Sequence, residues 1–172
     1  KFNIMLQEHW MKISKAELKK RVFSDWRYFL GFGFGSGLIP KCPGTWGTLV
    51  TIPIVYCLSW LPLYVYIFLT VLLFYVGARV SQTLSEDLGV HDYGGVNIDE
   101  VVGFLCVMFP FSCTGINIMI GFVLFRLLDI LKPFPISWVD KHIEGGYGMM
   151  LDDIVAAFFA VLMMYPMTIW IN

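Results

Sequence analysis

The chain has 172 residues, the length of one domain of ordinary size. Hydrophobic residues make up 58 % and charged residues 15 %, against roughly 45–50 % and 25 % in soluble domains, and mean hydropathy is +0.71. This excludes a water-soluble enzyme with a large core, and a net charge of −1 gives no reason to expect a nucleic-acid partner.

Residues 1–27 carry Lys1, Lys12, Lys15, Lys19, Lys20, Arg21 and Arg27 against three acids. No short apolar run with a small-residue cleavage site follows them, so the segment is not read as a signal peptide. The positive-inside rule puts it in the cytoplasm. Two readings stay open: an arm on anionic lipid, each basic residue contributing on the order of 1 kcal/mol, or a solvated amphipathic helix. The organisation expected is a single domain, 1–172, with a basic amphipathic N-terminal arm over 1–27 and a helical membrane domain over 28–172.

Charge gaps locate the apolar segments beyond the arm. The 37 residues between Lys41 and Arg79 hold no Asp, Glu, Lys, Arg or His. A crossing needs about 20 apolar residues, so this gap predicts two helices joined by "SWLP" (59–62). The 25-residue gap between Glu100 and Arg126 is broken by "PFSCTG" (110–115). Its halves, 96–110 and 116–131, reach only roughly 25 Å at the helical rise, which predicts a short or re-entrant hairpin. The 19 uncharged residues after Asp153 can cross once. The fold class is all-α: a multi-helix membrane-embedded bundle with polar, Gly-rich loops over 31–49, 85–100 and 126–153. Cys42, Cys57, Cys106 and Cys113 lack metal-ligand spacing and are read as small core residues.

Two of these loops end on adjacent acids, "GVNIDE" with Asp99 and Glu100, and "GMMLDD" with Asp152 and Asp153. Gly95 and Gly148 each precede a pair by four residues, and each pair opens an apolar run ending near a proline, Pro110 or Pro166. Duplication and chance both account for this echo. If the two helices run in the same direction, both pairs share one face of the membrane. Acids in a helix's first turn gain about 0.3–1 kcal/mol from the helix dipole. Adjacent positions on a helix, however, point in different directions, and a carboxylate near hydrocarbon is costly unless it is paired or binds metal. Oxygen-only ligation by Asp99, Glu100, Asp152 and Asp153 suits Mg²⁺ or Mn²⁺.

Gly31, Gly33, Gly35 and Gly37 alternate ahead of "PGTWG", which holds Gly44, Thr45 and Gly47. The glycines suit close helix packing. Equally, the loop's N–H groups suit an anion, with Thr45 capping the next helix and aiming its N-terminus at phosphate. No Walker A pattern occurs. Arg126, Asp129 and Lys132 recur at a spacing of three, on one helix face. They read as a salt-bridged helix end before Pro133, or as Arg126 and Lys132 binding phosphate with Asp129 orienting them or joining the metal. His91 and His142 sit in the polar loops and His9 in the arm; any of them can serve as a general acid, but lone loop histidines are usually solvated.

Three stretches, "GFGSGLIPKCPGTWGTL", "GVHDYGGVNIDEVVGF" and "RLLDILKPFPISWVDKHIEGGYGMMLDDIVAA", closely resemble the phosphatidylglycerophosphatase A family. The resemblance runs from about Gly33 onward and leaves the basic arm uncovered; Thr48 stands where many members have Ser. It implies a bacterial inner-membrane phosphatase that needs Mg²⁺ and converts phosphatidylglycerophosphate to phosphatidylglycerol, with its site at the cytoplasmic lipid–water boundary. On that footing Asp99, Glu100, Asp129, Asp152 and Asp153 are the expected catalytic residues. Asp99, Glu100, Asp152 and Asp153 hold the metal, and Gly44, Thr45, Arg126 and Lys132 bind the substrate phosphate. The sequence has neither the D-x-D-x-[TV] pattern of aspartyl-phosphate enzymes nor a C-x5-R loop, so water is the expected nucleophile. The rival reading is a small membrane protein that translocates cations or binds lipid with the same carboxylates.

Overall fold

A computed structural model describes residues 13–171, and all regular structure among them is helical. The order is α1 (Lys15–Ser24), α2 (Trp26–Gly31), a 3₁₀ turn (Ser36–Leu38), α3 (Pro43–Leu58), α4 (Leu63–Leu88), α5 (Ile98–Met108), α6 (Gly115–Leu131), α7 (Ile136–His142) and α8 (Gly145–Ile171). The two helices expected between Lys41 and Arg79, the hairpin and the last apolar helix are all present. Residues 1–12 of the basic arm lie outside the described residues.

The rest of the arm is joined to the body of the protein. The Ser14 side chain caps α1 by accepting the Glu17 N–H at 3.2 Å, and Arg21 pairs with Glu17 at 3.0 Å. Leu18 and Val22, four apart on one helix face, are buried in the common core. The boundary expected at 27/28 falls inside α2. Asp25 starts that helix by accepting the Arg27 N–H at 2.9 Å, and the Arg27 guanidinium holds its carboxyl below the usual carboxylate range.

Helix α5 is the axis of the bundle. From Ile98 to Met108 it is buried throughout except at Cys106, and it packs against α3, α4, α6 and α8. Helices α5 and α8 run parallel. Asp99 and Asp153 meet at one end, while Met108 and Met164 both close on Gly121 at the other. Helix α6 runs back between these ends. Gly103 lets the three helices approach: a Cβ there would lie 2.6 Å from Phe125 Cζ and 3.2 Å from Asp153 Cβ. Phe104 packs edge-on to Phe122 at a centroid distance of 6.3 Å and obliquely on Phe125 at 6.2 Å.

The outer surface is apolar. Helices α4 and α8 are long and apolar enough to cross a membrane, and only 28 % of the α4 apolar window is buried within the protein. Tyr64, Ile67, Phe68, Val71 and Tyr75 on α4 are exposed, as are Met119, Val123 and Leu127 on α6. A water-soluble protein rarely exposes so large a continuous apolar face, so the chain is an all-α membrane protein.

Three expectations are corrected. The stretch 126–153 is mostly helix rather than loop: it holds the end of α6, all of α7 and the start of α8. Helix α8 continues through Pro166, a residue tolerated in membrane helices because packed neighbours and local adjustments re-satisfy the freed carbonyl. Cys106 and Cys113 pack against the core, but Cys42 and Cys57 are exposed.

Replacing Gly103 by Ala should push α5 away from Phe125 and lower stability by about 1–3 kcal/mol, the usual cost of overpacking. Thermal unfolding of the detergent-solubilised protein checks this.

Candidate active site

The chain order sets which helix ends meet. Helices α3, α5 and α8 bring their N-terminal parts to one end of the bundle, and α6 brings its C-terminal part. The positive ends of α3 and α5 therefore face the region where the acids gather. A Cβ at Gly77 of α4 would touch Met150 and Ile98, which sets the level of this end along α4.

Asp99, Glu100 and Asp153 each place a carboxylate oxygen within 4.8 Å of the others, and Asp129, Asp152 and Asp153 do the same. Asp153 belongs to both groups. None of the five is more than 5 % exposed. Two cationic side chains accompany them. Arg126 Nη1 lies 2.8 Å from Asp129 Oδ2 and 3.8 Å from Glu100 Oε1. Lys132 Nζ lies 2.7 Å from Asp152 Oδ2 and also pairs with Asp140. Two cationic side chains thus stand among five buried carboxylates. The donor set is all oxygen, buried, and free of His and Cys among the described residues, which fits a hard divalent cation.

The first turn of α3 lies against this cluster. A Cβ on Gly44 would collide with Glu100 Oε1 and stand 3.0 Å from both terminal nitrogens of Arg126. Glycine permits that approach without displacing either side chain. Thr45 is not the cap expected of it. Cys42, at φ 51°, occupies the N-cap, Pro43 opens the helix, and Thr45 sits inside the first turn. Proline is favoured at that first position because its φ is already helical.

The second acidic pair also differs from expectation. Asp99 and Glu100 stand in the first turn of α5, where the helix dipole favours them. Asp152 and Asp153 stand about two turns into α8, whose first turn has no acid, so the dipole does not account for them. The glycines of "GGYG" allow this early start. A Cβ on Gly146 would strike the Ala78 carbonyl, and one on Gly148 the Ile143 carbonyl.

Of the residues singled out in the sequence, the structure gathers Asp99, Glu100, Asp129, Asp152, Asp153, Arg126, Lys132 and Gly44. His91 and His142 are exposed, and His142 stacks on Trp138. His9 lies outside the described residues. Two further residues emerge. Asp140 grips Lys132 from α7. Asn97, fully buried, donates its N–H to Gly31 O at 2.9 Å, and its amide donates to Ser36 Oγ and Pro43 O, both at 2.9 Å. Pro43 O can only accept, which fixes the amide's orientation. Asn97 therefore ties α3 and the glycine loop to the start of α5. Its place directly before the apolar run was the available signal, since Asn is a common N-cap, although here the side chain reaches across to another segment.

The model for the family described as phosphatidylglycerophosphatase A matches residues 29–168, a span that includes every carboxylate above. The chain belongs to the phosphatidylglycerophosphatase A family. It is similar to the phosphatidylglycerophosphatase A of Haemophilus influenzae, 42 % identical over 155 residues, which covers 89 % of this chain and 95 % of the relative. It is also similar to that of Escherichia coli K12, 37 % identical over 154 residues, 89 % of this chain and 88 % of the relative. No solved structure matches the chain. The matched span of the phosphatidylglycerophosphatase A family begins within α2, so α1 lies outside it.

Asn97→Leu should remove the buried amide that donates to the Pro43 carbonyl and the Ser36 hydroxyl and cost about 1–3 kcal/mol of stability, the range for losing a buried hydrogen-bond partner. Denaturation midpoints of the purified variant measure it.

Proposed function

We propose that this chain is a Mg²⁺-dependent phosphatase of the bacterial inner membrane that hydrolyses phosphatidylglycerophosphate to phosphatidylglycerol and phosphate, with its site facing the cytoplasm. The observation that carries the reading is five buried carboxylates with Arg126 and Lys132 at one end of a lipid-facing bundle, in a chain of this family. The basic residues of α1 support the orientation, since cytoplasmic segments are rich in Lys and Arg.

Asp99, Glu100, Asp129, Asp152 and Asp153 would hold the cation, with Asp153 common to both carboxylate groups. When bound, a divalent cation supplies charge neutralisation for the phosphoryl oxygens. The remaining work falls to the chain itself. Arg126 presents a planar fork of donors, the geometry that suits phosphate, and Asp129 at 2.8 Å holds it in place. Lys132 adds a mobile point charge. The first turn of α3 brings its positive end toward the same anion. Water attacks phosphorus, the bond from phosphorus to the glycerol oxygen breaks, and that oxygen leaves with a proton as the phosphatidylglycerol hydroxyl. The apolar faces of α4 and α6 keep the acyl chains in lipid while the phosphate is turned over at the carboxylates.

Phosphate release from phosphatidylglycerophosphate in detergent micelles tests the reading. Wild type should be active with Mg²⁺ and silent with EDTA, and added Mg²⁺ should restore it. Asp153→Asn should lower kcat by at least about 100-fold, more than the 10–100-fold typical of changes one shell further out. A folded wild type that releases no phosphate with Mg²⁺ present would sink the proposal. Arg126→Lys should lower kcat/KM as well, because an ammonium cannot replace the two-pronged contact.

A further inference from the structure

Lys132 is the last residue before the chain turns out of α6. It caps that helix at φ 43°, its N–H donating to Leu128 O at 2.8 Å. Its ammonium reaches two carboxylates on different elements, Asp152 of α8 and Asp140 of α7. The two are unlike: Asp152 is 3 % exposed, whereas the Asp140 side chain is 35 % exposed. Ile136 and Val139 are buried, anchor α7, and so fix where Asp140 stands. An acid in the last turn of a helix gains nothing from that helix's dipole, whereas Asp140 pairs with Lys132.

We propose that Asp140 is a positioning residue that shares the Lys132 ammonium with Asp152 and thereby keeps Asp152 available to a divalent cation. An ammonium has three donors and no fixed fork, so it can move toward one carboxylate without losing all its bonds. A cation arriving at Asp152 competes with Lys132. With Asp140 in place, Lys132 yields Asp152 and remains paired. Without it, yielding Asp152 removes a pairing that Asp140 would otherwise offset, and the exchange becomes less favourable. Asp140 thus acts through Lys132 and touches neither the phosphate nor the cation. This inference rests on the divalent-cation reading of the site.

The test is Mn²⁺ titration of the full chain in detergent, followed by electron paramagnetic resonance of the free ion, which needs no turnover. Wild type, Asp140→Asn, Lys132→Met and the double variant are compared, with circular dichroism confirming helix content. Asp140→Asn should bind Mn²⁺ roughly fivefold more weakly, the fold-change of a partly exposed ion pair. In the Lys132→Met background the same substitution should change binding by less than about 1.5-fold, since a residue acting through another loses its effect when the other is gone. Equal affinity of wild type and Asp140→Asn would overturn the proposal. So would an undiminished loss in the Lys132→Met background, which would mark a through-space charge effect. Absence of Mn²⁺ binding by wild type would overturn the cation reading along with it, whereas unchanged binding by Asp140→Asn would overturn this proposal alone.

Discussion

Five carboxylates, none more than 5 % exposed, meet at one end of an apolar bundle with two cationic side chains among them. Removing a single ion from water costs several kcal/mol even after the protein relaxes. Much of the surrounding architecture serves to hold this arrangement. Helices α5 and α8 must run parallel and close, so Gly103 lies where a side chain would strike Phe125. Helix α3 must bring its positive end to the acids, so Gly44 lies where a side chain would strike Glu100 and Arg126. Asn97 bonds the two segments together from a fully buried position.

The same arrangement links structure to chemistry. Two cationic side chains, Arg126 and Lys132, stand among these five buried carboxylates. In the proposed function the buried carboxylates suit a cation, and the Arg126 fork and the first turn of α3 suit an anion beside it. A lipid phosphate has its charged end at the membrane surface and its tails beside the helices, and the molecule divides along the same line.

Much of this was legible in the sequence. Uncharged runs marked α3 through α6 and α8 because a charge facing lipid is expensive. The two acidic pairs stood out because they adjoin such runs. Less legible was whatever depended on tertiary approach. The stretch "GGYGMM" reads as a loop, since each glycine costs about 1 kcal/mol in a helix relative to Ala, yet it opens α8 because the Ala78 and Ile143 carbonyls leave no room for a side chain. The cap of α3 was assigned to Thr45 by propensity, while the chain uses Cys42 in a left-handed conformation. Asn97 and Asp140 escaped notice because their partners are 54 residues away in one case and on a separate helix in the other.

The central helix has one more consequence, for depth. Helix α5 has 11 residues, about 16 Å at the helical rise, and it spans from the carboxylates to the far turn. Helix α4 meets the carboxylate end at Gly77, and its charged residues from Arg79 onward lie beyond that level. A hydrocarbon layer is about 30 Å thick. The bundle beneath the acids is therefore shallower than the membrane that holds it. Tilt, local thinning of the lipid, or the stretch of α8 that runs on past Met164 must take up the difference, which places the far turns within reach of acyl-chain ends from the opposite leaflet.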